Sequence, residues 1–144
     1  MTNDTMRTDN GKTLRVKQHT YNKHGRAITI VQFLNGALVT GGGIAFAKFA
    51  LTGFGTALGL IHLGIGIIGL VAAMAAVFSF ARSRSFLLGI NIVTIAYSTA
   101  SEIAIYFGAL LSPDAATDSL IGTIIAIALS FSIIYLLRKV SPRN

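Results

Sequence analysis

The fold class predicted is all-α: a membrane protein built as a bundle of four transmembrane helices, with both termini cytoplasmic (N-in/C-in). Three observations predict it. Beyond residue 26 the chain is dominated by four apolar stretches, each longer than the roughly 20 residues that cross a hydrocarbon core. Hydrophobic residues make up 53% of the 144 and charged residues only 12%, more apolar surface than one soluble core of this size hides from water. The basic residues, moreover, cluster in alternate connections, the pattern that orients a polytopic chain.

The elements follow in order. Segment 1–26 is polar and basic, with Asp4 and Asp9 its only acids. It is expected to be a disordered cytoplasmic tail, because so little apolar surface does not offset the entropy of ordering. The transmembrane domain, 27–137, opens with a span over 27–51. That run exceeds the 7–15 apolar residues typical of a signal peptide, so retention is expected rather than cleavage after Ala45-Phe46-Ala47. Thr52-Gly53-Phe54-Gly55 forms a turn into the second span, 56–81, and Arg82-Ser83-Arg84-Ser85 a basic turn into the third, 86–111. Pro113 stops that span by disfavouring helical geometry at Ser112, and Asp118 or Ser119 is expected to cap the fourth, 119–137. A short basic tail, 138–144, ends the chain. All four spans must be helical, since lipid offers no partner to a free backbone N–H or C=O. A barrel would show alternating segments of about 10 residues, and none occur.

Charge placement sets direction. Arg7, Lys12, Arg15, Lys17, Lys23 and Arg26 precede span one, Arg82 and Arg84 lie between spans two and three, and Arg138, Lys139 and Arg143 follow span four. With four crossings these groups share one side; Lys48, Asp114 and Asp118 fall on the other. The positive-inside rule places the basic side in the cytoplasm of a cell (plasma or inner) membrane. The net charge of +7 is therefore a topology signal, and no nucleic-acid module accompanies it. The basic tails suit anionic lipid headgroups, at about 1 kcal/mol per Lys or Arg near the surface. In the absence of Trp, interface anchoring falls to Tyr21, Tyr97, Tyr106 and Tyr135.

Span two carries a helix-packing seam: Gly55, Gly59, His62, Gly66, Gly69, Ala73 and Ala76 recur at spacings of four and three. That spacing holds one helix face, and small side chains let another backbone approach it. Span one repeats the theme with Gly36 and Gly41-Gly42-Gly43, and span four aligns Ser119, Thr123, Ala126 and Ser130. The intramembrane polar candidates are His62, Glu102, Asn91, Ser98, Gln32 and Asn35. Glu102 is the only acid within a predicted span, and an ionisable group there is a functional candidate by default. Asn91, Ser98 and Glu102 share a face of span three. By helical rise His62 and Glu102 lie roughly 10 and 13 Å from the same end, one membrane layer in which a His62–Glu102 hydrogen bond or ion pair would satisfy both groups. Gln32, Asn35 and Asn91 form a second polar layer nearer the termini.

Catalysis has no support: HExxH, a phosphate-binding glycine loop and a Ser-His-Asp set are all lacking. Cys is absent, His19 and His24 lack further ligands, and a single intramembrane His does not make a bis-His haem site. Neither metal nor cofactor is expected. Weak echoes between the halves, such as Phe33-Leu34-Asn35-Gly36 with Phe86-Leu87-Leu88-Gly89, suggest a parallel pair of hairpins.

The run Gly59-Leu60-Ile61-His62-Leu63-Gly64-Ile65-Gly66-Ile67-Ile68-Gly69-Leu70 resembles uncharacterised bacterial four-helix integral membrane proteins of the domain-of-unknown-function class. Those proteins carry a His-bearing, glycine-rich second span and often another His early in span four, where this chain has Gly122. The resemblance implies the fold and leaves activity open. The leading expectation is a non-enzymatic interaction or accessory subunit, whose glycine and alanine seams pack within the bundle or against a partner, either a partner membrane protein or a second copy in a homo-oligomer. The alternatives are a small oligomeric transporter or proton conduit using His62 and Glu102, and a membrane immunity or stress-response factor.

Overall fold

The structure, a computed structural model, describes the backbone of residues 4–140 and the side chains of 24–140. Four helices follow one another: α1 (Asp4–Phe49), α2 (Gly53–Phe78), α3 (Phe80–Gly108) and α4 (Pro113–Lys139). No strand occurs among the described residues. His24–Phe49 of α1 and the whole of α2, α3 and α4 are long and apolar enough to cross a membrane. Their outward faces are apolar too: Phe107 is 90% exposed and Phe78 83%. Surfaces of this kind are solvated by lipid rather than water, consistent with a small polytopic membrane protein.

The helices form a ring in which α1 packs on α2 and α4, and α3 packs on the same two. The start of the α1 span and the end of α4 thus lie at one end, the terminal end. The α1–α2 and α3–α4 connections share the other, the loop end, where the Leu51 N–H donates to the Leu110 carbonyl at 2.8 Å. Apolar clusters close both ends. Ile28, Ala72, Leu87, Ile133 and Leu137 pack at the terminal end, and Phe46, Ile105, Leu110 and Leu111 at the loop end. Most of the buried polar side chains lie between these clusters.

Several boundaries differ from the sequence-based expectation. α2, for one, begins at Gly53 with Thr52 as its cap, so most of the predicted 52–55 turn is helical. Three further differences bear on the bundle's ends. α1 is helical from Asp4, where a disordered tail is predicted. The first span supplies the helix nucleus, so each added residue costs only propagation, and Lys, Arg, Leu and Met propagate well. The side chains of Arg7, Lys12, Arg15, Lys17, His19, Tyr21 and Lys23, and all of Arg143, lie outside the described residues. The break between α2 and α3 falls at Ser79, whose backbone is extended (φ −154, ψ 90), and not at 82–85. Arg82 and Arg84 instead ride on the first turns of α3, where long side chains carry their charge away from the apolar stem. Arg84 Nη2 donates to the Leu137 carbonyl at 3.1 Å, serving one of the carbonyls that the end of α4 leaves unpaired.

The third difference is the start of α4. Pro113 begins α4 and does not end α3, which has already stopped at Gly108. Ser112 is the cap, accepting from the Ala115 N–H, and proline suits the first helical position, where its missing N–H is no loss. Asp118 and Ser119 consequently sit inside the helix rather than capping it. α3 already ends at Gly108, with Ala109 in the left-handed region (φ 45, ψ 45). An L-residue there costs about 1–2 kcal/mol. Ala109→Gly is therefore expected to stabilise the protein by about 0.5–1 kcal/mol after glycine's own entropy is counted. A lowered unfolding midpoint in detergent would contradict this.

Candidate functional site

The α2 seam sets the distance between α1 and α2, and every seam residue is buried. A Cβ added at Gly59 would stand 2.7 Å from the Ala47 Cα, and one at Gly66 2.7 Å from the Thr40 Cα. The reciprocal positions on α1 are as tight. A Cβ at Gly43 would lie 2.6 Å from the Leu63 Cα, and one at Gly36 2.9 Å from the Leu70 nitrogen. Gly36 with Gly43 and Gly59 with Gly66 are both seven apart, the repeat that keeps antiparallel helices in register. Gly69 meets Gly36 and Gln32, while Gly55 packs on Ala50 near the loop end. The seam is thus filled by this chain's own first helix. Gly41 belongs to no such contact, since a Cβ there meets nothing within 4 Å.

Close packing of α1 on α2 brings the terminal-side polar residues into one network. Asn91 Nδ2 donates to Gln32 Oε1 at 2.6 Å and to the Leu87 carbonyl at 2.7 Å. Asn35 Nδ2 donates to Ser130 Oγ at 2.8 Å and to Asn91 Oδ1 at 3.3 Å. Gln32 Nε2 donates to the Gly69 carbonyl at 3.3 Å. One residue or more from each helix takes part, and the bonds between α1 and α3 cross the diagonal of the ring. Only Asn35 Oδ1 within it lacks a partner. The predicted layer of Gln32, Asn35 and Asn91 is assembled here, with Ser130 and the Gly69 carbonyl as additions.

The loop-side layer is arranged differently from expectation. Glu102 and His62 are each 9% exposed, yet no hydrogen bond joins them. Glu102 Oε1 instead accepts from Ser119 Oγ at 2.7 Å and Thr123 Oγ1 at 2.8 Å, both on α4. His62 meets the edge of Tyr97 at 5.7 Å between ring centres and 75° between planes. Tyr97 in turn donates to the Leu58 carbonyl at 2.7 Å, which fixes its ring on α2. Glu102 Oε2 and His62 Nδ1 are both buried without a partner. Such groups are costly in a low-dielectric interior and are uncommon outside functional positions. Ser98, on the same face of α3, is buried with its carbonyl accepting from Ser101 Oγ.

Beside this layer a cavity of about 550 Å³ lies between α1 and α4. Leu38, Val39, Phe46 and Phe49 line it from α1, and Asp114, Asp118, Ser119, Gly122 and Thr123 from α4. His62 completes the wall from α2. The space exists because small residues face each other: the Gly42 position on α1 and Gly122 on α4 carry no side chain, and a Cβ at Gly122 would meet nothing within 4 Å. Ser119 and Thr123 therefore have two neighbours, Glu102 behind them and the cavity in front. Sequence reasoning placed them on a small-residue stripe without seeing their bond to Glu102. A spacing signal existed, since both share the depth of Glu102 on the next helix. Asp114 and Asp118 stand four apart on α4, and both line the cavity. Among the described residues no three His, Cys, Asp or Glu side chains gather to hold a metal ion.

Comparison with protein-family models, with curated proteins and with solved structures finds no match.

Proposed function

We propose that this chain is a small, non-enzymatic, multi-pass transport protein of the cell membrane, whose loop-side layer of Glu102 and His62 handles protons. The observation that carries the reading is the pair of buried, unpartnered atoms, Glu102 Oε2 and His62 Nδ1, beside a cavity that reaches His62 and both hydroxyls on Glu102. A carboxyl group held by two hydroxyls on one oxygen keeps the other free to take and release a proton. The glycine seam is filled by α1, so an accessory subunit with this fold would meet a partner through other faces. The basic groups favour cytoplasmic termini, which puts Asp114, Asp118 and the cavity mouth on the outer face. Basic segments then meet anionic headgroups on the inner face. Four helices with a cavity at one end enclose no complete route, so the working unit is a homo-oligomer.

Proteoliposomes under an inside-negative potassium diffusion potential test this directly with an internal pH dye. Wild-type protein is expected to acidify the lumen faster than protein-free vesicles. Glu102→Gln should cut that rate roughly tenfold or more, since an amide neither binds nor releases the proton, while leaving the elution volume in detergent unchanged. Equal rates for the variant and wild type would rule the reading out.

A further inference from the structure

From the shape and charge of the α1–α4 cavity we infer that it is a binding site for an organic cation with a bulky apolar body. The inference rests on the transport reading in naming what that protein admits from its loop end. Volume is the first argument: about 550 Å³ lies within the roughly 300–1,000 Å³ of small-molecule pockets. Its walls are the second, because Leu38, Val39, Phe46, Phe49 and Leu111 are apolar and two of them are aromatic. At Phe49 such a face already accepts a cation, the Lys48 ammonium 5.4 Å from the ring centre.

Charge decides the sign of the ligand. Asp114 and Asp118 are exposed and both line the cavity, which contains no Lys or Arg. Against these stand Lys48, which lies outside the lining but over Phe49, and the N-terminus of α4, worth about half a positive charge. Asp114 sits in that first turn and offsets the helix end. The two carboxylates therefore outweigh the half-charge by themselves, and Lys48 reduces the excess without reversing it. His62 forms part of the wall from α2. A cavity with two exposed acids in its lining and aromatic and aliphatic walls selects an amphipathic cation over an anion of equal shape.

Tetraphenylphosphonium and tetraphenylborate share a shape and carry opposite charges, so they isolate the sign. Binding of each to the full chain in lipid nanodiscs would be measured by equilibrium dialysis against empty nanodiscs. The cation is expected to bind at least roughly tenfold tighter than the anion, and the double variant Asp114→Asn/Asp118→Asn to weaken it by roughly tenfold. Lys48→Met should tighten it. Gly122→Phe, which projects a ring into space that nothing occupies, should abolish it while the unfolding midpoint stays unchanged. Preference for tetraphenylborate, lost in Gly122→Phe, would overturn the cationic assignment and leave a site in place. Cation binding that survives Gly122→Phe would overturn the location, and binding of neither probe would overturn the site altogether. The proton-flux measurement stands apart from all three outcomes, so failure here and failure of the transport reading are told apart.

Discussion

Gly59→Ala is expected to destabilise the bundle by more than about 3 kcal/mol, whereas Gly64→Ala, five residues further along the same helix, should stabilise it. In an exposed helix the exchange of Gly for Ala favours the helix by roughly 0.5–1 kcal/mol, because glycine loses more backbone entropy. Gly64 shows that ordinary behaviour, since a Cβ there meets nothing within 4 Å. At Gly59 the added carbon would stand 2.7 Å from the Ala47 Cα and 2.9 Å from its Cβ. Backbone cannot rotate aside as a side chain can, so α1 and α2 must separate. Separation costs dispersion along the whole seam, the main attraction between helices once lipid rather than water surrounds them. Overpacking in cores typically costs about 1–3 kcal/mol, and a helix-to-helix clash lies at or beyond the upper end. Unfolding midpoints of both variants in one detergent decide the matter. Shifts of the same sign would show that α1 and α2 are not in backbone contact.

Asn91→Leu should be the most damaging single change in the terminal-side layer. It removes the hydrogen bonds to Gln32, to the Leu87 carbonyl and from Asn35. Interhelical hydrogen bonds in membranes are worth about 0.6 kcal/mol on average and up to about 1.7, so a loss of about 2 kcal/mol is expected. The asymmetry is more diagnostic than the size. Gln32→Leu/Asn91→Leu together should cost less than the sum of the single changes, because the single change at Asn91 strands Gln32 Oε1 in an apolar interior. Strict additivity in a double-mutant cycle would mean that the two side chains do not share a bond in the folded protein.

These two regions differ in how far they can be read without coordinates. The seam residues of α2 are visible as a spacing, and the same residues are buried in the structure. Spacing alone does not name the helix that fills the seam; Ala47, Thr40 and Leu63 become its counterparts only when α1 lies against it. Depth is similarly legible. A fixed rise per residue places Gln32, Asn35 and Asn91 at one level and His62 with Glu102 at another. Which neighbour each group meets depends on the rotation of its helix, and that rotation follows from packing. Glu102 accordingly turns to Ser119 and Thr123 on α4, and His62 to Tyr97. Connections were the least legible part. Pro113 carries one signal for ending a helix and another for starting one; only the second operates here, because α3 has already ended at Gly108 through the left-handed Ala109.

Composition and periodicity by themselves determined that this chain forms four apolar helices, which faces of them are small or polar, and at what depth each polar group lies. Those are local properties, set by transfer free energy and by the helical repeat of a single segment. Only the tertiary structure decided that α1 fills the α2 seam, that four helices share one amide network, and that a cavity opens between α1 and α4 beside Ser119 and Thr123. Such features depend on the relative rotation and separation of helices, which arise from close packing between segments distant in sequence.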